Sequence, residues 1–233
     1  MIAIFNSRSS ILLCCHSAFA SCYTYRTLTA EHIRIFTAVQ METRAVQHAL
    51  RGSACSLHTI GVGAGHLPSP DQLAGVRVII LCGVAGALDP YFRVGDVILD
   101  DPAKLISPDI HIHRGTIFTS KQIVATPAEK TKLFIETKAA AVDMEQSIVR
   151  EFADRIGIPL IGLRAISDTA AQTLDPVVVH LVDDRGRPRP LNIAIHLIRR
   201  PSLIPYLRQL NANTRLALDN LGPALQNVVD GLL

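Results

Sequence analysis

The sequence predicts an α/β fold, a three-layer α/β/α arrangement around a central mixed, twisted sheet. Short apolar strands and amphipathic helices alternate from Ile33 onward. Glycine clusters follow two of the strands, and acidic residues stand at junctions where a strand meets a helix. In an open α/β sheet ligands gather at the carboxyl ends of strands, so these clusters and acids mark one rim of the domain.

The elements follow in order. A strand over 33–38 leads into a helix over 41–50, whose apolar positions Ala45, Val46, Ala49 and Leu50 share a face. Glu42 stands at that junction. A strand over 57–62 ends in GVGAG (61–65), and a strand over 76–81 ends in CGVAGALDP (82–90), read as a glycine-rich turn in which Gly83, Ala85 and Gly86 allow close backbone approach to a ligand. A strand over 97–99 is followed by a looser polar stretch, 100–114, and a strand over 115–119. Thr126, Pro127 and Glu129 form a capping box that opens the next helix. Then AVDMEQ (141–146) carries Glu145, REFADRIGIP ends an amphipathic helix, and the apolar strand 160–166 runs into Ser167 and Asp168. Glu145 and Asp168 thus flank one helix-strand crossover.

At 233 residues, 48% hydrophobic and 18% charged, the chain suits one core rather than two. We expect one domain over 31–233, with basic helices from about 185. Residues 1–30 read as an extension rather than an export signal, because ILLCCHSAFA is a weak apolar core. The longest apolar run, 76–88, falls short of the roughly 18 residues a membrane span requires. Five cysteines, odd in number and without a CxxC pair, suggest neither a disulfide framework nor a zinc site, and a cytoplasmic, reducing compartment fits. His111 and His113 lack a third ligand, so no metal is expected. GVGAG lacks the G-x-G-x-x-G spacing, so no dinucleotide cofactor is expected, and without a G-x-S-x-G elbow or a phosphate-binding P-loop neither acyl transfer by a serine nor ATP use finds support.

The formal charge of +3 is unevenly distributed. Seven arginines, Arg185, Arg187, Arg189, Arg199, Arg200, Arg208 and Arg215, lie in a stretch without Asp or Glu, interleaved with aliphatic residues at near-helical spacing. Such a segment either packs one face on the core or lies on an anionic membrane. With aromatic residues at 5% there is no stacking platform for nucleic acid.

Four motifs in order, TAVQMETRAV (37–46), CGVAGALDPYFRVGD (82–96), AVDMEQ (141–146) and RAISDTA (164–170), resemble the superfamily of nucleoside phosphorylases and methylthioadenosine/adenosylhomocysteine nucleosidases. The resemblance covers Ile33 to about Asp175. It implies cleavage of the N-glycosidic bond of a purine nucleoside, with Asp168 donating a proton to the departing base, Ser167 orienting it, and Glu42 polarising the attacking water. Glu145 would accept hydrogen bonds from the ribose hydroxyls, Met144 would pack against the ribose, and backbone groups of Ile123 and Val124 would pair with the adenine edge. A homodimer or higher homo-oligomer is also implied.

Two departures stand out. Only ten residues, 66–75, separate GVGAG from the next strand where relatives carry a helix, and Val84 replaces the hydroxyl residue common in that glycine segment. With no arginine adjoining, water is favoured over phosphate as nucleophile, although Arg44 keeps phosphorolysis open. The tail (177–190 and 198–221) and VATPAEK (124–130) resemble the hopanoid-associated branch, whose substrate is adenosylhopane. That implies a lipid-linked nucleoside met at the inner membrane surface. The alternative is a methylthioadenosine/adenosylhomocysteine nucleosidase or a purine nucleoside phosphorylase, and a binding protein without turnover is the reading of another class.

Overall fold

The computed structural model describes residues 28–107, 109, 111–181, 183, 187 and 189–233. The expected extension over 1–30 falls almost wholly outside the described residues, as do Cys14, Cys15, Cys22 and Arg185.

One sheet organises the chain. Its strands are β1 (Ile33–Thr37), β2 (Ser56–Thr59), β3 (Val78–Ala87), β4 (Val97–Asp100), β5 (Ile112–Arg114), β6 (Ile117–Thr119), β7 (Ala141–Asp143) and β8 (Leu160–Asp168). The order β2-β1-β3-β8-β4-β5 is parallel from β2 to β8, while β4 runs antiparallel to β8 and parallel to β5. β7 pairs antiparallel with the end of β3 and parallel with β6. The sheet is mixed, as expected.

Helices cover both faces. On one side α1 (Gln40–Ala49) and α5 (Leu203–Leu232) bury Val46, Leu218, Leu221, Leu225 and Val228 against Ile33, Ile35, Ile80 and Leu163. On the other, α3 (Gln146–Ile156) packs Val149, Phe152 and Ala153 against Phe36, Ile79, Leu81 and Leu160. Alternation along β3 separates the two sets, even-numbered residues facing α1 and α5 and odd-numbered ones facing α3. Each fully buried Val, Leu or Phe contributes roughly 1.5–3 kcal/mol, so both layers are held mainly by apolar burial. α2 (Pro127–Thr137) seals the β7 side with Leu133 and Phe134. Its capping box forms as read: Thr126 Oγ1 accepts the Glu129 N–H at 3.2 Å, and Glu129 Oε2 accepts the Thr126 N–H at 2.9 Å.

Two expectations are corrected. The segment 82–87 is strand, the second half of β3, and the turn comes only after Ala87. The polar stretch 100–114 contains β5, held by pairing with β4. In the tail, α4 (Pro190–Arg199) and the first turns of α5 stay largely exposed, whereas α5 from Ala217 onward is core. The reading of a face packed on the core thus holds for the second half of α5. Arg187, Arg189, Arg199, Arg208 and Arg215 are exposed, but Arg200 is tied to Asp175 at 2.9 Å. No described helix is long and apolar enough to cross a membrane.

Candidate active site

Glu42 lies in the first turn of α1, and its carboxylate folds back over the β1–α1 junction. Oε2 accepts the N–H groups of Ala38 at 2.9 Å and Val39 at 3.1 Å, and Oε1 accepts that of Val84 at 2.8 Å. A helix N-terminus favours negative charge, so this placement follows from the backbone dipoles. The junction is further tied by Thr43, whose hydroxyl meets those of Thr37 and Thr59 at 2.7 Å each. Glu42 is 4% exposed, and burial raises its pKa above the ordinary carboxylate value against the lowering effect of Arg164 and the three N–H donors.

Gly83 is needed for this. A methyl group built there would collide with the Glu42 carboxylate, and one built on Gly86 would lie 2.8 Å from Asp168 Oδ2. The glycines read from sequence as room for a ligand make room first for two of the protein's own acids. Ala85 between them is buried, and its carbonyl accepts the Ser167 hydroxyl at 3.3 Å.

Glu145 ends the short link from β7 to α3. Oε1 accepts the N–H of Gly63 at 2.9 Å, and Oε2 lies 3.9 Å from the Arg164 guanidinium. Gly63 reaches it from a left-handed conformation (φ 65°), which a residue with a side chain adopts only under strain. Burial pushes the Glu145 pKa up to about 7, opposed by Arg164 and reinforced by Asp143. Met144 beside it is half-buried.

Arg164 escaped the sequence reading. It sits on β8 opposite Gly83, 1% exposed, with Nη2 2.7 Å and Nε 3.1 Å from Asp143 Oδ2. Glu145 and Glu42 both add to the negative field that holds it charged. Its Nη1 is buried without a hydrogen-bond partner among the described residues, a donor available to a water or substrate oxygen. An arginine inside an apolar strand gives no signal in hydropathy alone.

Asp168 closes β8 and is 4% exposed. Ser167 donates to its Oδ1 at 3.0 Å. The register shifts at Ala85/Gly86, so Ser167 is the extra residue of a bulge that re-aims the strand end. Its Oδ2 receives Lys130 Nζ at 2.5 Å, a contact made from α2 that sequence spacing did not reveal. Ile123 and Val124 lie half-buried in the loop before α2, and their backbone N–H and C=O groups bond no other described residue.

The site thus has two poles. Glu42, Glu145 and Arg164 gather around Gly83, while Asp168, Ser167 and Lys130 gather around Gly86. Three residues of strand, roughly 10 Å, separate them. Arg44 is exposed on α1 and belongs to neither pole. A cavity of about 240 Å³ lined by Gln40, His58, Thr59, His66 and Arg187 lies at the ends of β1 and β2, beside α1. His113 packs edge-on against Phe92 and Tyr91 beside a separate cavity of about 580 Å³. Among the described residues no three His, Cys, Asp or Glu side chains converge as metal ligands.

Comparison with known proteins bears on the fold. A model of the phosphorylase superfamily matches residues 100–199. An aminodeoxyfutalosine nucleosidase of Helicobacter pylori is 28% identical over 132 residues, which cover 41% of this chain and 57% of the relative's length. The futalosine hydrolase structure of Helicobacter pylori superposes with a TM-score of 0.56 at 17% identity, over 85% of this chain and 97% of that one. A methylthioadenosine/adenosylhomocysteine nucleosidase from Colwellia psychrerythraea, solved with adenine, superposes with a TM-score of 0.59 at 16% identity, over 86% and 95%. At such identities the structures speak for the fold, the α/β fold of nucleosidases. Over residues 100–199 the chain is similar to the phosphorylase superfamily, and the four motifs are carried on the fold these structures share.

Proposed function

We propose that this protein hydrolyses the N-glycosidic bond of an adenine nucleoside. The observation that carries the reading is the two-pole site: an acid held by a hydroxyl and an ammonium at one end, a backbone-anchored carboxylate beside a buried guanidinium at the other. Breaking a C–N glycosidic bond builds positive charge on the sugar and negative charge on the base, so an enzyme needs a proton donor at the base and a negative field with a held nucleophile at the sugar.

Asp168 is the donor to the leaving base. Glu42 has three of its four acceptor positions filled by backbone N–H groups, which leaves one position on Oε1 for a water. The unpartnered Arg164 Nη1 adds a further donor at this pole of the site. Glu145, whose Oε2 has only a long contact to Arg164, takes the ribose hydroxyls, with Met144 against the sugar. The open backbone groups of Ile123 and Val124 suit the adenine edge. The relatives named as nucleosidases, one of them solved with adenine, support the same substrate class.

Water is favoured over phosphate on a specific ground. The Val84 N–H, the backbone donor of the former glycine segment, is already taken by Glu42, and that buried carboxylate would repel a phosphate dianion. Product analysis tests this: free ribosyl product without added phosphate supports hydrolysis, and a strict phosphate requirement with ribose 1-phosphate formed reverses the choice.

The exposed face of α4 supports the finer reading of a lipid-linked adenosine such as adenosylhopane. Leu191, Ile195 and Ile198 are 72%, 38% and 80% exposed beside Arg199, an amphipathic pattern suited to an anionic bilayer surface.

A further inference from the structure

Lys130 holds the proposed acid, and the mechanism above gives it no part in moving the proton. It sits on the first full turn of α2, has no exposed surface, and sends Nζ to Asp168 Oδ2 at 2.5 Å, to the Thr169 carbonyl at 2.8 Å and to the Gln172 carbonyl at 3.1 Å. An ammonium has three N–H donors, and all three are placed. Fully buried lysines are rare unless paired, and this one is paired with the carboxylate proposed to deliver the proton. The contact poses a chemical problem. An aspartate facing an ammonium is favoured as the anion, yet a general acid must hold a proton when the base departs.

We propose that Lys130 is the proton store of the general acid, a positioning residue that acts through Asp168. As the C–N bond breaks, its electron pair moves onto the nitrogen that leaves the sugar and spreads over the five-membered ring. In the same step the Nζ–H bond of Lys130 breaks to leave a neutral amine, its proton passes to the Asp168 carboxylate, and Asp168 delivers a proton to a ring nitrogen of the departing purine. The carboxylate ends as it began, the purine leaves neutral, and the store is one proton short. The attacking water gives its hydroxide to the sugar and its proton to Glu42, so the protein's proton count is unchanged, and exchange with solvent restores Lys130. The short, buried geometry matters because Nζ already lies within hydrogen-bond distance of the carboxylate that passes the proton on, with no water between them. The titratable groups facing the pair are Tyr206 of α5, which feels the Asp168 charge, and Asp175, which gives its backbone N–H to the Tyr206 hydroxyl and is tied to Arg200. None of these changes in the variants below.

The proposal rests on the hydrolase reading, and the test separates the two. Wild type, Lys130→Met and Lys130→Arg are assayed on adenosine and on 4-nitrophenyl ribofuranoside, whose leaving group departs without a proton, with pH profiles and thermal melts. A proton store predicts that Lys130→Met loses at least tenfold on adenosine, that its alkaline limb moves to lower pH, and that nitrophenyl riboside turnover stays within about threefold. Lys130→Arg, which keeps the charge and the loop contacts but does not release a proton, fails to restore adenosine turnover. Full adenosine activity with an unshifted limb in the folded Arg variant overturns the proposal and leaves the hydrolase reading standing, because charge alone then suffices. Equal loss on both substrates also overturns it, since Lys130 would then only brace 169–172. If the wild type accepts adenosine alone, the pH limb and the Arg variant decide. A wild type that turns over neither overturns the reading of the site and this proposal together.

Discussion

The carboxylate of Glu42 fills the space that a side chain at position 83 would occupy, and its Oε1 is bonded to the next residue's N–H, that of Val84. Gly83 and Glu42 are far apart in sequence, on β3 and α1, yet each fixes the other: the missing Cβ lets the acid in, and three backbone donors keep it there. Gly83→Ala is therefore expected to displace Glu42 from those bonds, lowering stability by about 1–3 kcal/mol and depressing turnover. Thermal or urea unfolding alongside the activity assay checks this. An alanine variant with wild-type melting and rate would mean that the carboxylate moves aside freely.

Glu145 gives a pH dependence with a definite sign. Its pKa is raised from 4.5 to about 7 in the folded protein, so the folded state holds the proton more tightly than the unfolded chain. Its contribution to stability is fully present below pH 4.5 and is lost as the pH rises through about 7, where the buried charge must form. Glu145→Gln should remove that loss and gain up to about 3 kcal/mol relative to wild type at pH 8 compared with pH 4. Denaturant unfolding of both proteins at the two pH values measures the difference. Parallel stability curves would show that Arg164 keeps the carboxylate charged throughout.

The tail prediction concerns α4 and the start of α5. Arg199 and Arg208 are exposed, so Arg199→Gln with Arg208→Gln should weaken binding to anionic vesicles by about 1 kcal/mol per arginine, with salt acting in the same direction. Arg200 is left intact because it holds Asp175. Activity on vesicle-embedded adenosylhopane should fall while activity on free adenosine holds. Absence of vesicle binding by the wild type would favour a small, water-borne nucleoside instead.

Much of this was legible in the chain. Glu42, Glu145 and Asp168 stood out because each is an acid just beyond an apolar strand or at a helix start, and all three lie at those junctions in the fold. The Thr126–Glu129 capping box was a local pattern and formed locally. What escaped was set by contacts distant in sequence. Lys130 carries no signal in the local sequence, and only the docking of α2 against the end of β8 buries it on Asp168, 38 residues away. Arg164 was hidden inside a strand, and its neutralising partners come from elsewhere, Asp143 from the end of β7 and Glu145 from the link to α3. The run of small residues at 82–87 resembled a turn because glycine usually marks one. Here it is strand, and the small residues answer to side chains arriving from α1 and β8.

The most direct measurement follows adenine release from adenosine in phosphate-free buffer by wild type and by Asp168→Asn. The account predicts adenine and free ribose from the wild type, with turnover by the folded Asn variant lower by roughly 10²–10⁴-fold, the range of general acid catalysis, and binding changed far less. An Asn variant within tenfold of the wild-type rate would contradict the assignment of Asp168 as the acid.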